Sequence, residues 1–190
     1  MMRRLLAALF LICIACLGRA ESTDRYLVDV IVFENKTLLA DAAEQSLVPA
    51  VLPPSAHSIP LELGDYTTQP NYHNLPLSQS ALQNTYYALS RNQNYHVLAR
   101  FTWRQPMGSR REIDLPTIGN NQWDISGRIK ITPSRFPFFS TNLLLSNGRK
   151  TIALRHNQPL KLKETYYFDH PVVGMVVRLT PIKDASSKSA

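Results

Sequence analysis

The most informative pattern for predicting the fold lies at residues 26–33, which run Tyr-Leu-Val-Asp-Val-Ile-Val-Phe. It is short, rich in β-branched residues and apolar at nearly every position. That pattern is typical of a central strand that is covered on both faces. Asp29 is the exception, and we expect a half-exposed carboxylate paired with a neighbouring Arg or Lys; a functional acid is the alternative.

A long excursion follows this strand. Residues 34–78 contain six of the 13 prolines in the chain. Proline fixes φ and removes a hydrogen-bond donor, so beyond a short helix at residues 38–47 we expect little regular structure. Loops of this length in compact domains are usually functional or mobile, and we predict a path over the surface.

One good helix is predicted after the excursion. Leu82, Tyr86 and Leu89 fall at i, i+4 and i+7, which gives a single apolar stripe for packing against the core. Ser78 is a candidate N-cap, while Ser80 with Gln83 forms a competing capping box. The polar run Arg-Asn-Gln-Asn at residues 91–94 ends the helix.

Beyond the helix the apolar residues recur with a period of two, which indicates strands with one buried face. Residues 107–121 are predicted as a loop, and Asn-Gly at 147–148 favours a two-residue hairpin turn. Strands are predicted at residues 95–104, 125–131, 138–146, 151–154 and 172–180. Because short turns join antiparallel neighbours, we predict an α+β fold: a mostly antiparallel sheet of five or six strands with one main helix packed on one face.

The N-terminus has the three parts of a secretory signal. Arg3 and Arg4 precede an apolar run of 13 residues, and small residues at Gly18 and Ala20 suit a signal peptidase. Spanning a bilayer takes about 18–20 apolar residues, so the run favours cleavage over a retained anchor. An alternative is lipidation at Cys16, because residues 13–16 partly resemble a lipoprotein box.

These features predict a signal peptide at residues 1–20, a single domain at residues 21–182 with a proline-rich loop at 34–78, and a disordered tail at 183–190. Loss of the leader lowers the net charge from +7 to +4, too little to indicate nucleic-acid binding. Both cysteines lie in the leader, so we expect a mature chain without a disulfide or a thiol nucleophile.

No pattern typical of an enzyme is present. The closest two histidines are 14 residues apart, no metal-binding helix motif or glycine-rich phosphate loop occurs, and no serine-nucleophile motif occurs. A glycosidase could still pair two distant acids. We therefore expect neither catalytic residues, nor a metal site, nor a cofactor.

Cationic side chains on the strands are the strongest candidates for ligand binding. If the strands are neighbours, the cations form one stripe that suits carboxylates or phosphates, while Trp103 and Tyr167 offer flat rings to sugars. A plain solvated face is the alternative. The predicted stripe consists of Arg100, Arg104, Arg128, Lys130 and Arg178.

Four segments resemble the CsiV family, periplasmic peptidoglycan-binding proteins of gammaproteobacteria. The first is the strand at residues 26–34. The second joins Tyr-His-Val-Leu at 95–98 to Trp-Arg-Gln-Pro at 103–106. The third is Gly-Arg-Ile-Lys-Ile at 127–131, ahead of Asn-Leu at 142–143. The fourth, Glu-Thr-Tyr-Tyr-Phe-Asp-His-Pro-Val-Val-Gly-Met at 164–175, resembles the family's signature.

The resemblance implies a non-catalytic periplasmic factor that binds peptidoglycan. It implies support of wall synthesis through a class A penicillin-binding protein and its outer-membrane lipoprotein activator. Alternatives are an envelope protein-interaction module acting through residues 34–78, and a cell-wall hydrolase.

The signature also has a structural interpretation. Asp169 can accept backbone N–H groups in an Asx-type turn, and Pro171 can fix φ where a strand begins. Gly174 can allow close approach or a bulge. For His170 and Asp169, contact with a ligand is the alternative.

Overall fold

A computed structural model describes residues 24–37, 52, 55, 57–64, 71–119, 123–148 and 150–182. A short 3-10 turn, Leu77–Gln79, precedes the helix. The predicted signal peptide, the short helix at 38–47 and the tail at 183–190 lie outside these residues. The elements are β1 (Arg25–Asn35), β2 (Ser58–Pro60), α1 (Gln83–Arg91), β3 (Tyr95–Pro106), β4 (Glu112–Gly119), β5 (Asp124–Thr132), β6 (Phe138–Ser146), β7 (Thr151–Pro159), β8 (Thr165–Phe168) and β9 (Val173–Ile182).

The strands form two sheets. Sheet one has the order β3-β1-β9-β8 and is antiparallel throughout. Sheet two has the order β2-β4-β5-β6-β7 and is antiparallel except where β2 runs parallel to β4. The α+β class is confirmed, but the single sheet of five or six strands was wrong. Most strands have one apolar face, and two sheets bury such faces against each other.

The central position predicted for β1 is confirmed. It pairs with β3 on one side and with β9 on the other. Val28, Val30 and Val32 face the main core, which both sheets line. Ile31 and Phe33 point the other way and pack with residues around α1 in a second apolar cluster. Sheet one therefore lies between α1 and sheet two.

The helix starts later than the Ser78 cap would place it. It begins at Gln83, with Leu82 at the N-cap position. Ser80 Oγ accepts the backbone N–H of Leu82 at 3.1 Å, so Ser80 is the serine that supports the helix start. The apolar stripe is confirmed as core packing, because Leu82, Tyr86 and Leu89 all belong to the second apolar cluster.

Three strands were not predicted from the sequence. β4 lies within residues 107–121, which were predicted as a loop; its alternation breaks at a register shift between Leu115 and Ile118. β8 has only four residues. β2 lies in the proline-rich excursion, where Leu61 and Leu75 are also buried, so the excursion does not stay on the surface.

The hairpin at Asn147 and Gly148 is confirmed, with a longer turn than predicted. It joins β6 to β7 across residues 147–150, and the backbone N–H of Asn147 donates to the carbonyl of Lys150 at 3.1 Å. Gly148 has φ of 77°, the left-handed conformation that glycine tolerates. Among the helices described, none is long and apolar enough to cross a bilayer.

Candidate ligand-binding surfaces

The five cations predicted to form one stripe lie on two opposite faces of the molecule. Arg100, Arg104 and Arg178 alternate with core residues of sheet one and point to its outer side. Arg128 and Lys130 alternate with core residues of sheet two and point to its outer side. Because the core separates the two sheets, the single stripe was wrong.

Arg100 and Arg104 of sheet one hold the chain that precedes α1. Arg100 Nη1 donates to the Leu75 carbonyl at 2.9 Å and to Thr102 Oγ1 at 3.3 Å. Burial lowers the pKa of Arg100, while nearby groups including Asp29 oppose that shift. Arg104 donates to Gln79 Oε1 at 3.0 Å. These contacts give the two guanidinium groups a structural role.

Arg128 is engaged in a strong local pair. Its Nε lies 2.5 Å from Asp114 Oδ1, and its side chain is only 14% exposed. Asp114 also accepts a hydrogen bond from the Ser58 hydroxyl. Arg128 and Asp114 face each other across β5 and β4, so the pair ties these strands and β2 together.

Trp103 is a core residue and does not present its ring to a ligand. It is 0% exposed, and its Nε1 donates to Gln105 Oε1 at 3.2 Å. Its expected contact with sugars was therefore wrong. The physical reason is the period of two, which places Trp103 on the same apolar face as the fully buried Phe101.

A cationic cleft of about 790 Å³ lies where the β3–β4 loop meets β2 and β5. Its lining includes Arg110, Arg111 and Lys130, together with His57 and the acid Glu112. Lys130 is the only member of the predicted stripe among the lining residues. The two arginines were missed because residues 107–121 were predicted as a polar loop, although the adjacent Arg-Arg pair was a visible signal.

Tyr72 supports the wall of this cationic cleft. Its ring is buried, and its hydroxyl donates to Ser109 Oγ at 3.0 Å, next to the two arginines. Its backbone N–H donates to the Arg104 carbonyl at 3.1 Å. The cleft therefore has an ordered wall, and its permanent cations outnumber its single acid.

A second surface is built from three rings, which we call the aromatic shelf: Phe33, Tyr95 and Tyr167. Tyr167 is 55% exposed and stacks on buried Phe33 with ring centres 5.9 Å apart and planes at 24°. Phe33 meets Tyr95 edge-on at 5.3 Å. The Tyr167 hydroxyl donates to Asp169 Oδ1 at 3.0 Å. The predicted Tyr167 is thus an exposed ring fixed by a buried one.

The signature turn differs in detail from the prediction. Asp169 accepts the Tyr167 hydroxyl, whereas His170 Nδ1 accepts the backbone N–H of Val172 at 3.3 Å. The turn is therefore supported by the histidine. Pro171 lies in the bend just before β9, as expected. Close approach at Gly174 is confirmed, since a Cβ there would lie 2.3 Å from Phe33 Cζ.

No group of three or more His, Cys, Asp or Glu side chains in the described part of the chain is placed to hold a metal ion. No curated protein and no solved structure matches this chain significantly. A family model described as the peptidoglycan-binding protein CsiV matches residues 5–182 of the 190. With nearly the whole chain matched, the protein belongs to the CsiV family of peptidoglycan-binding proteins.

Proposed function

We propose that the protein is a non-catalytic periplasmic factor that binds peptidoglycan and supports wall synthesis and cell shape. In this proposal it acts with a class A penicillin-binding protein and its outer-membrane lipoprotein activator. The observation that carries the proposal is the family match over residues 5–182. The secretory pattern of residues 1–20 supports export to the compartment that holds this polymer.

The cationic cleft is the surface that best suits the peptide part of peptidoglycan. Stem peptides carry free carboxylates, and Arg and Lys bind carboxylates through charge-assisted hydrogen bonds. Arg110, Arg111 and Lys130 are exposed and line one cleft. Arg128 is already paired with Asp114, so its positive charge is locally neutralised.

Co-sedimentation with purified sacculi tests this proposal. The mature protein is expected to sediment with sacculi at low salt and less at high salt, because salt screens exposed charges. Reversing all three cleft cations to Glu should weaken binding at least tenfold. A hydrogen bond to a charged group contributes about 1.5–3 kcal/mol, and about 1.4 kcal/mol corresponds to tenfold.

A matched control carries the same change in net charge away from the cleft. Arg135→Glu, Arg155→Glu and Lys161→Glu together alter three exposed cations that do not line it. We expect this control to bind sacculi like the wild type. Equal losses of sacculus binding in both variants would show that net charge, and not the cleft, causes the effect. Failure of the wild type to sediment at low salt would contradict direct binding to peptidoglycan.

The hydrolase alternative finds little support on sheet two. Asp114 and Asp124 line one cleft there, but Asp114 is paired with Arg128. Asp114 lies opposite Arg128 on β5, and Arg128 is four residues from Asp124, so the backbones of the two acids are about 13 Å apart along the strand direction. Glycosidases place their two carboxyl groups about 5–9.5 Å apart. Soluble muropeptides released from sacculi by the pure protein would favour a hydrolase, and we expect none.

The proposed action with a penicillin-binding protein and its lipoprotein activator needs a separate experiment. Crosslinking in the envelope should recover the synthase or its activator, and purified protein should raise the activity of that synthase in their presence. Recovery of a protein partner with no binding to sacculi would instead favour an interaction module acting through residues 34–78.

A further inference from the structure

We propose that the aromatic shelf is a subsite for one uncharged sugar ring, an N-acetylhexosamine of a glycan strand. This inference rests on the proposed function and assigns the sugar chain to a different surface from the cationic cleft. Tyr167 is the centre of the subsite. One face of its ring lies on Phe33, and its 55% exposure leaves the other face to solvent.

The exposed ring is held in place by two direct contacts and by the packing beneath them. Phe33 stacks beneath it, Asp169 accepts its hydroxyl, and Gly174 leaves the space that the Phe33 ring occupies. An edge strand does not need such support to pair with β9. A ring fixed before binding loses little conformational freedom when a ligand stacks on it, which increases affinity.

The chemistry beside Tyr167 suits a sugar. A pyranose offers an apolar face to an aromatic ring and hydroxyl groups at its edge. Asp169 is exposed, and its carboxylate has lone pairs beyond the one that accepts the Tyr167 hydroxyl. These lone pairs can accept a sugar hydroxyl or an acetamido N–H. The apolar face of an N-acetylhexosamine would then meet the Tyr167 ring, and its polar edge would meet Asp169.

The shelf continues into a second cleft. Tyr95, which touches Phe33 edge-on, also lines a cleft of about 360 Å³ with Tyr86, Lys36, Arg91 and Gln93. This cleft combines two tyrosine rings with several hydrogen-bonding side chains, a lining that can take the next sugar of a chain. The surface therefore favours an extended glycan over a single monosaccharide.

The size of the patch favours a sugar over a folded protein. A stable protein interface buries about 800 Å² on each partner. Among the three described rings of the shelf, Tyr167 is exposed, Tyr95 is half-buried and Phe33 is buried. Such a patch covers one or two sugar rings, and it lacks the apolar centre of a protein interface.

The test uses chitotetraose, a tetramer of N-acetylglucosamine, titrated into the full mature protein and followed by nuclear magnetic resonance. Signals of Tyr167, Asp169 and Tyr95 should shift on titration, while those of Phe136, an exposed ring in the β5–β6 turn, should stay unchanged. Tyr167→Ala should weaken binding at least tenfold, as expected for a ring at the centre of an interface. Tyr167→Phe should keep most of it, and Phe136→Ala should bind normally.

Each outcome decides between the two proposals. Shifts at the shelf with loss in Tyr167→Ala support the subsite, and the shifts alone suffice should that variant fail to fold. Two outcomes would overturn the sugar subsite and leave peptidoglycan binding intact. In the first, the wild type sediments with sacculi but does not bind chitotetraose. In the second, the Tyr167→Ala variant folds and binds chitotetraose normally. A crosslinker placed at position 167 that captures a protein and no glycan would overturn the subsite also. Failure with sacculi as well would overturn the proposed function itself.

Discussion

The hydroxyl of Ser80 donates a 2.6 Å hydrogen bond to Oδ1 of Asp29, a residue 51 positions earlier in the chain. Asp29 lies in the middle of β1 and is 0% exposed, so the half-exposed carboxylate expected from the sequence was wrong. It also accepts the Thr102 hydroxyl at 2.9 Å and the backbone N–H of Ala81 at 3.3 Å. One buried carboxylate thus fastens the chain before α1 to the centre of sheet one.

Replacing Ser80 with Ala should lower the free energy of unfolding by about 1–3 kcal/mol, the cost of leaving a buried acceptor short of a donor. The same hydroxyl supports the Leu82 N–H at the helix start, so α1 should loosen with it. Urea unfolding measures the loss, and amide exchange in α1 locates it. Ser78→Ala serves as the control, because Ser78 is exposed and is expected to change stability by less than about 0.5 kcal/mol. Equal losses in the two variants would contradict this role for Ser80.

Asp29 should also make stability depend on pH. Burial raises the pKa of Asp29 above 3.8, and the hydrogen bonds from Ser80, Thr102 and Ala81 only partly oppose this shift. The folded carboxyl therefore holds its proton more tightly than the unfolded one. Its contribution to stability is full below pH 3.8 and is lost as pH rises through the raised pKa.

The comparison that isolates this effect is Asp29→Asn, which cannot ionise. The stability of the wild type minus that of the variant, measured in urea at a series of pH values, should fall as pH rises above 3.8. The absolute stability of the variant does not matter for this test. A difference that stays level or rises over the same range would show that the hydrogen bonds outweigh desolvation.

The spacing of apolar residues in the sequence predicted those features of the fold that depend on a single strand or helix. β1, the apolar stripe of α1 and the buried side of β9 follow from periodicity within one element. Asp29 could not be placed this way, because Ser80 and Thr102 lie 51 and 73 positions away. Glu34 is a similar case: it is 4% exposed and accepts the Trp123 indole N–H at 2.7 Å from 89 positions away.

The same limit applies to the candidate surfaces. Tyr167 was recognisable as a ring within the signature, but its support from Phe33 is a contact between strands that are far apart in the sequence. The stripe of cations failed because its members could be grouped only after each strand had been assigned to a sheet. The period of two in the apolar residues indicates which side of a strand faces solvent. It does not indicate which sheet the strand joins.

Gly174→Ala should destabilise the protein by about 1–3 kcal/mol, the usual cost of overpacking a core. The new Cβ would meet Phe33 Cζ at 2.3 Å, so the ring beneath Tyr167 must move. Gly108→Ala is the matched control, because nothing lies within 4 Å of a Cβ at that position. Thermal unfolding should separate the two variants clearly. Equal stability would mean that Phe33 can move aside without loss.

The Tyr167 hydroxyl should titrate well above a free tyrosine. Partial burial, followed by the hydrogen bond to Asp169 and the charge of that carboxylate, raises the pKa of Tyr167 to about 12 from 10.0. The folded protein resists forming the tyrosinate, so the contribution of Tyr167 to stability is full below pH 10.0 and is lost as pH rises through about 12. Subtracting the tyrosinate absorbance of Tyr167→Phe from that of the wild type isolates this residue among the eight tyrosines. Asp169→Asn should lower the midpoint without restoring 10.0, because the partial burial remains. A wild-type difference curve centred near 10.0 would show a hydroxyl that is open to solvent and is not bonded to Asp169.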